Sequence, residues 1–116
     1  MKKFLAIYLG TPSEREKWMQ IPEAKRKERE QTGVKAWMDW GVANEASIVD
    51  QGSPLGKTKR ASQQGISNVT NLMTGYTIVQ AESHEAAAKL FENHPHFTIF
   101  PGDSVEIMEC LPLPGQ

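Results

Sequence analysis

At 116 residues, with 39% hydrophobic and 23% charged side chains, the chain can build one cored domain but not two. A formal net charge of −1, from thirteen basic and fourteen acidic residues, excludes the cationic excess that general nucleic-acid binding relies on. The single cysteine, Cys110, excludes an intramolecular disulfide and argues against a cysteine-based zinc site.

The opening Met1-Lys2-Lys3 leads into an apolar run too short for a signal peptide, and no run approaches the ~18 residues of a membrane span. The expectation is a cytoplasmic protein with no membrane association.

Lys3 to Leu9 reads as a strand with two apolar faces, Phe4, Ala6 and Tyr8 against Leu5, Ile7 and Leu9. Ser13 with Glu16 fits a capping box for a first helix, which Pro22 interrupts or restarts. Glu23 to Gln31 is almost wholly charged and reads as a solvated helix with Glu–Lys/Arg pairs. Gly33 predicts a break. After it Val34, Trp37, Met38 and Gly41 recur at helical spacing and mark the helix that packs on the sheet, with Trp40 one turn from Trp37. Ile48 and Val49 start a second strand closed by the turn Gly52 to Gly56, and Lys57 to Gly65 reads as an exposed basic loop.

Gly75 to Ala81 alternates as a good strand, and Ser83 is the expected N-cap of a helix from His84 to about Asn93 that buries Ala87, Leu90 and Phe91. Ser104 to Cys110 is the final strand. The domain therefore covers 1–110. Residues 111–116, Leu-Pro-Leu-Pro-Gly-Gln, form a C-terminal tail or an arm crossing to a second subunit. The order, strand–helix–strand–strand–helix–strand, predicts an α+β ferredoxin-like βαββαβ fold with a four-stranded antiparallel sheet. Two helices cover only one sheet face, so the second apolar face of the first strand must bind a ligand, bury a partner or do both, and a homodimer through it is the economical solution.

The chain resembles the YCII-related family, whose members form dimeric α+β barrels. The matching pieces are Lys3-Phe4-Leu5-Ala6-Ile7-Tyr8-Leu9-Gly10, Ala36-Trp37-Met38-Asp39-Trp40 and Val49-Asp50-Gln51-Gly52-Ser53-Pro54-Leu55-Gly56. They continue with Thr74-Gly75-Tyr76-Thr77-Ile78-Val79-Gln80-Ala81, Ser83-His84-Glu85-Ala86-Ala87 and Gly102-Asp103-Ser104-Val105-Glu106-Ile107. The resemblance implies a dimeric α+β barrel with a pocket between sheet and helices. The better-studied branch of that family pairs a histidine in the first helix with an aspartate before the proline that follows the second. Here the first helical region offers Trp37, Asp39 and Trp40 instead, and His94 precedes Pro95. The fold carries over; the dyad does not.

His94 and His96, two of the three histidines, would point to one side of an extended segment, where they could sit on a metal or act as a general base and its neighbour. The simpler alternative is a histidine favoured by the helix C-terminus, with His96 bonded to backbone. No third ligand at metal spacing accompanies them, and neither a metal nor another cofactor is expected. Asp39 would join the histidines in acid–base chemistry only if buried beside them. Trp37 and Trp40 read as core anchors or, with Tyr8 and Tyr76, as walls of a ligand site.

Two functional readings stay open: a small dimeric protein that binds an organic molecule and acts on it without cofactor, and a non-catalytic binding or structural dimer module. A third, an RNA-binding domain of the same strand order, lacks the basic flanks that reading needs.

Overall fold

The computed structural model describes residues 1–115. In chain order the elements are β1 (Lys2–Leu9), α1 (Pro12–Met19), α2 (Glu23–Ala43), a 3-10 turn (Glu45–Ser47), β2 (Ile48–Asp50), β3 (Thr58–Ser62), β4 (Gly65–Val69), β5 (Met73–Ala81), α3 (His84–Lys89), α4 (Pro95–Thr98) and β6 (Ser104–Glu109). One antiparallel sheet has the order β2-β5-β1-β6, and β3-β4 forms a separate ribbon. With the ribbon set aside, the four sheet strands lie in the order second, third, first, fourth, as the ferredoxin-like arrangement requires.

The two-faced reading of β1 holds. Phe4, Ala6 and Tyr8 join Val79, Ala81, Ala87 and Phe91 in the core, with Trp37, Trp40 and Leu90 packed against it from the helical layer. On the opposite face the register aligns Leu5 with Ile78 and Met108, and Ile7 with Tyr76 and Glu106. Ile7 is buried there, Leu5, Leu9, Tyr76 and Ile78 are half-buried, and Met108 is exposed.

Local chemistry corrects five sequence expectations. The first helix is capped by Thr11, whose Oγ1 accepts from the Glu14 N–H at 3.2 Å, and not by Ser13. Pro12 at the first helical position has no N–H to satisfy and a helical φ already set, which moves the cap one residue upstream of it. Thr11→Ala is expected to cost ~1 kcal/mol in denaturant unfolding and Ser13→Ala only a fraction of that; the opposite ranking would return the cap to Ser13.

Gly33 does not break the chain: α2 runs through it for 21 residues. Its hydrogen is needed because Phe100 and Ile99 lie over it, and a Cβ there would come within 2.6 Å of the Phe100 ring and 3.0 Å of Ile99. Only part of the expected helical stripe is buried. Trp37 and Trp40 pack inward, whereas Val34 and Met38 remain exposed.

The basic stretch after Gly56 is no loop but the β3-β4 hairpin, paired from Thr58↔Val69 to Ser62↔Gly65. It has no buried residue, so neither face needed an apolar pattern. The second long helix is shorter than expected. α3 ends at Lys89, and Asn93 takes a left-handed φ of 57°, a conformation asparagine tolerates where a helical segment ends. Within the expected tail, Leu111 and Leu113 are exposed, and Gln116 lies outside the described residues.

Candidate ligand cavity and histidine pair

Directly after Asn93 the chain makes the short helix α4. His94 is its N-cap, and Pro95 starts it. The extended geometry expected for the two histidines is thereby replaced by one helical turn. His94 Nδ1 accepts from the His96 N–H at 3.0 Å, Thr98 Oγ1 donates to the His94 carbonyl at 3.0 Å, and the Gly102 N–H donates to the His96 carbonyl at 2.9 Å. Both imidazoles still reach the same aromatic neighbours. Tyr8 lies 5.3 Å from the His94 ring and 5.2 Å from that of His96, and Trp37 lies 4.4 and 6.2 Å away.

The two rings have different environments. His94 is fully buried among Tyr8, Trp37, Trp40 and Phe91. Because its Nδ1 is an acceptor, the neutral ring carries its proton on Nε2, and that atom has no hydrogen-bond partner. Burial, with a smaller contribution from neighbouring His96, pushes its pKa down to about 3. His94 is therefore neutral at ordinary pH.

His96 is almost as buried, but it lines a cavity. Its Nε2–H donates to the Leu9 carbonyl at 2.7 Å, an oxygen that can only accept, so Nε2 must hold the proton. Nδ1 is then the basic atom of the neutral ring. Burial lowers the pKa of His96, opposed by the Leu9 carbonyl, the nearby Asp103 carboxylate and a backbone hydrogen bond with Ser104.

The cavity has a volume of about 760 Å³, within the range of small-molecule sites. Aromatic walls come from Tyr8, Trp37, Trp40 and Phe100, polar groups come from His96, Gln51 and Thr77, and Tyr76 also lines the cavity from a strand position that faces the other side of the sheet. No lysine or arginine lines it, and its one carboxylate is that of exposed Glu45. Tyr8 leads a short relay. Thr77 Oγ1 donates to the Gln51 carbonyl at 3.1 Å, which obliges the Tyr8 hydroxyl to donate to Thr77 at 2.7 Å. Burial, offset in part by this bond, raises the Tyr8 pKa to about 12, so the phenol stays protonated.

The structure thus gathers Tyr8, Trp37, Trp40, Tyr76 and His96 around one cavity and sets His94 behind its wall. Asp39 stands apart, exposed and ion-paired with Lys35 at 3.0 Å. Trp40 serves the core as well, donating its indole N–H to the Leu90 carbonyl at 2.8 Å. Sequence reasoning missed Phe100, Thr77 and Gln51. Of these only Phe100, in the aromatic stretch after the histidines, carried a local signal.

Among the described residues no three His, Cys, Asp or Glu side chains gather as a metal would require. No helix is long and apolar enough to cross a membrane.

No family model and no curated protein matches the chain. Among solved structures it is similar to 5-chloro-2-hydroxyhydroquinone dehydrochlorinase from Burkholderia phenoliruptrix AC1100, determined in complex with 2,5-dihydroxybenzoquinone. The TM-score is 0.55 at 15% identity, over 94% of this chain and 93% of that one. At that identity the likeness shows the fold: a mixed α/β domain with a four-stranded antiparallel sheet, shared with a small enzyme across nearly its whole length.

Proposed function

We propose that this chain is a YCII-like homodimeric protein that binds an uncharged, planar organic molecule in the aromatic cavity, with His96 as a cofactor-free proton acceptor. The observation that carries the reading is the tautomer of His96: with Nε2–H given to the Leu9 carbonyl, Nδ1 is the ring nitrogen left to accept a proton on a cavity-lining residue. A ligand hydroxyl or acidic C–H at Nδ1 would lose its proton there. The Leu9 carbonyl and the Asp103 carboxylate would steady the resulting imidazolium. Tyr8, its proton given to Thr77, orients the ligand and does not act as a base. Without a lysine or arginine in the lining, carboxylate and phosphate ligands lack a counter-charge. The dehydrochlorinase, solved with a planar oxygenated ring, adds support by analogy of fold.

The test is a series of hydroquinones, quinones and their carboxylated analogues, followed by quenching of tryptophan fluorescence and by turnover. Neutral rings should bind and the carboxylated ones should not. His96→Gln should keep binding within a few-fold while any turnover falls by roughly 10²–10⁴. Equal rates in the variant would remove His96 from the chemistry.

A non-catalytic binding module is the second reading. It is favoured by one specific feature: no carboxylate is hydrogen-bonded to His94 or His96 among the described residues. Binding of neutral rings with no turnover of any of them would select it.

A further inference from the structure

The β3-β4 hairpin is an arm without a body of its own. From Ser53 to Thr74 no residue is buried, and Ile66 near its tip is 77% exposed. A two-stranded ribbon with nothing packed on it is marginal in water. The chain as a whole is correspondingly drawn out. Its radius of gyration is 16.2 Å, and its principal extents are 54 × 43 × 18 Å, where a compact chain of this length would have a radius of about 13 Å.

The charge is also segregated. Between Gln51 and Ala81 there are three cations, Lys57, Lys59 and Arg60, and no carboxylate, so this segment carries +3 while the whole chain carries −1 and the remainder −4. Lys59 bonds only an amide, Asn68 Oδ1 at 2.8 Å, so its charge is not compensated within the arm. The pairing Lys59↔Asn68 and Ala61↔Ile66 places Lys59 and Ile66 on the same side of the ribbon. An isolated hydrophobe beside an unneutralised cation asks for a surface with a hydrophobe beside an anion. The sheet face left open by the helices has one at its β6 side, where Met108 and Glu106 are both exposed.

We infer that the β3-β4 hairpin is a dimer arm, reaching across to a second copy of this chain and laying Lys59 and Ile66 against Glu106 and Met108 on that copy's open sheet face. The inference rests on the homodimer reading and goes further, because it names the element that secures the dimer and the polarity of the contact. Two-fold symmetry makes the contact twice.

The experiment is light scattering of the full chain across a dilution series, at low and high salt, with fluorescence-detected dissociation. Exposed positions are chosen so that the variants fold. The wild type should be a dimer that weakens as salt rises. Lys59→Glu and Ile66→Asp should each raise its dissociation constant about tenfold or more. Combining Lys59→Glu with Glu106→Lys should recover most of the loss. A wild-type dimer whose dissociation constant is unchanged in both single variants overturns the arm and leaves the homodimer standing. A wild-type monomer overturns the homodimer reading itself. If the variants keep the dimer but lose affinity for a single-stranded RNA that the wild type binds, the arm is a nucleic-acid contact and the inference fails.

Discussion

Gly102→Ala is expected to cost about 1–3 kcal/mol of unfolding free energy, lowering Tm by several degrees, and to release the His96 imidazole from its single tautomer. A methyl at this position would fall on Cε1, Nε2 and the carbonyl oxygen of His96 at once. The backbone oxygen cannot step aside, because it accepts the Gly102 N–H at 2.9 Å. The ring cannot swing away without giving up its bond to the Leu9 carbonyl. Strain and loss of chemistry therefore come from the same contact. The change can be followed in nitrogen chemical shifts of the imidazole: the wild type should show protonated Nε2 and bare Nδ1, the variant a mixture. Gly56→Ala is the control, since no atom lies within 4 Å of its added methyl, and it should leave Tm and tautomer alone. A Gly102→Ala protein with wild-type Tm and an unmixed tautomer would show that the contact imposes nothing.

Acid should weaken this protein progressively through its buried histidine. In the unfolded chain His94 titrates near the ordinary value of 6.5; in the folded state its pKa is about 3. Between those values the unfolded state binds the extra proton. Stability is thus full above pH 6.5 and declines as pH falls toward 3. One proton per molecule gives a slope near 1.4 kcal/mol per pH unit, so about 2–3 kcal/mol is lost by pH 4.5 from this residue alone. His96, also held below its ordinary value, adds in the same direction. His94→Asn keeps an N-cap acceptor and removes the titrating group, so its stability should fall less steeply over the same window in urea titrations. Parallel slopes for wild type and His94→Asn would rule out a native His94 that resists protonation.

Much of the frame was legible because it obeys simple periods. β1 and β5 announce themselves by alternation, and Ser83 accepts from the Ala86 N–H at 3.1 Å as an N-cap should. What escaped has no period to show. The hairpin has two polar faces, α4 is a four-residue turn set by Pro95, and Gly33 is tolerated inside α2 only because Phe100 arrives from far along the chain.

The site divides the same way. Tyr8, Trp37, Trp40, Tyr76 and His96 could be named as chemistry, but the separate duties of the two histidines could not. Which ring nitrogen holds the proton depends on a carbonyl 87 residues away in β1, a contact that no local spacing encodes. Asp39 shows the converse: a suitable residue type beside the tryptophans whose helical position turns it to Lys35 and solvent.

The sheet also carries its own protection against polymerisation. An unpaired border strand is a template for fibril growth. On one side the border is β2, three residues long with an irregular register, too short to recruit a neighbour. On the other it is β6. The Cys110 N–H bonds inward to the Lys3 carbonyl, so the alternate residue Ile107 presents its carbonyl outward, where His84 Nε2 occupies it at 2.7 Å. Pro112 and Pro114 follow directly and cannot extend the ladder. Strand addition to this sheet is therefore hindered at both borders by a short β2 on one side and by the capped Ile107 carbonyl and the following prolines on the other.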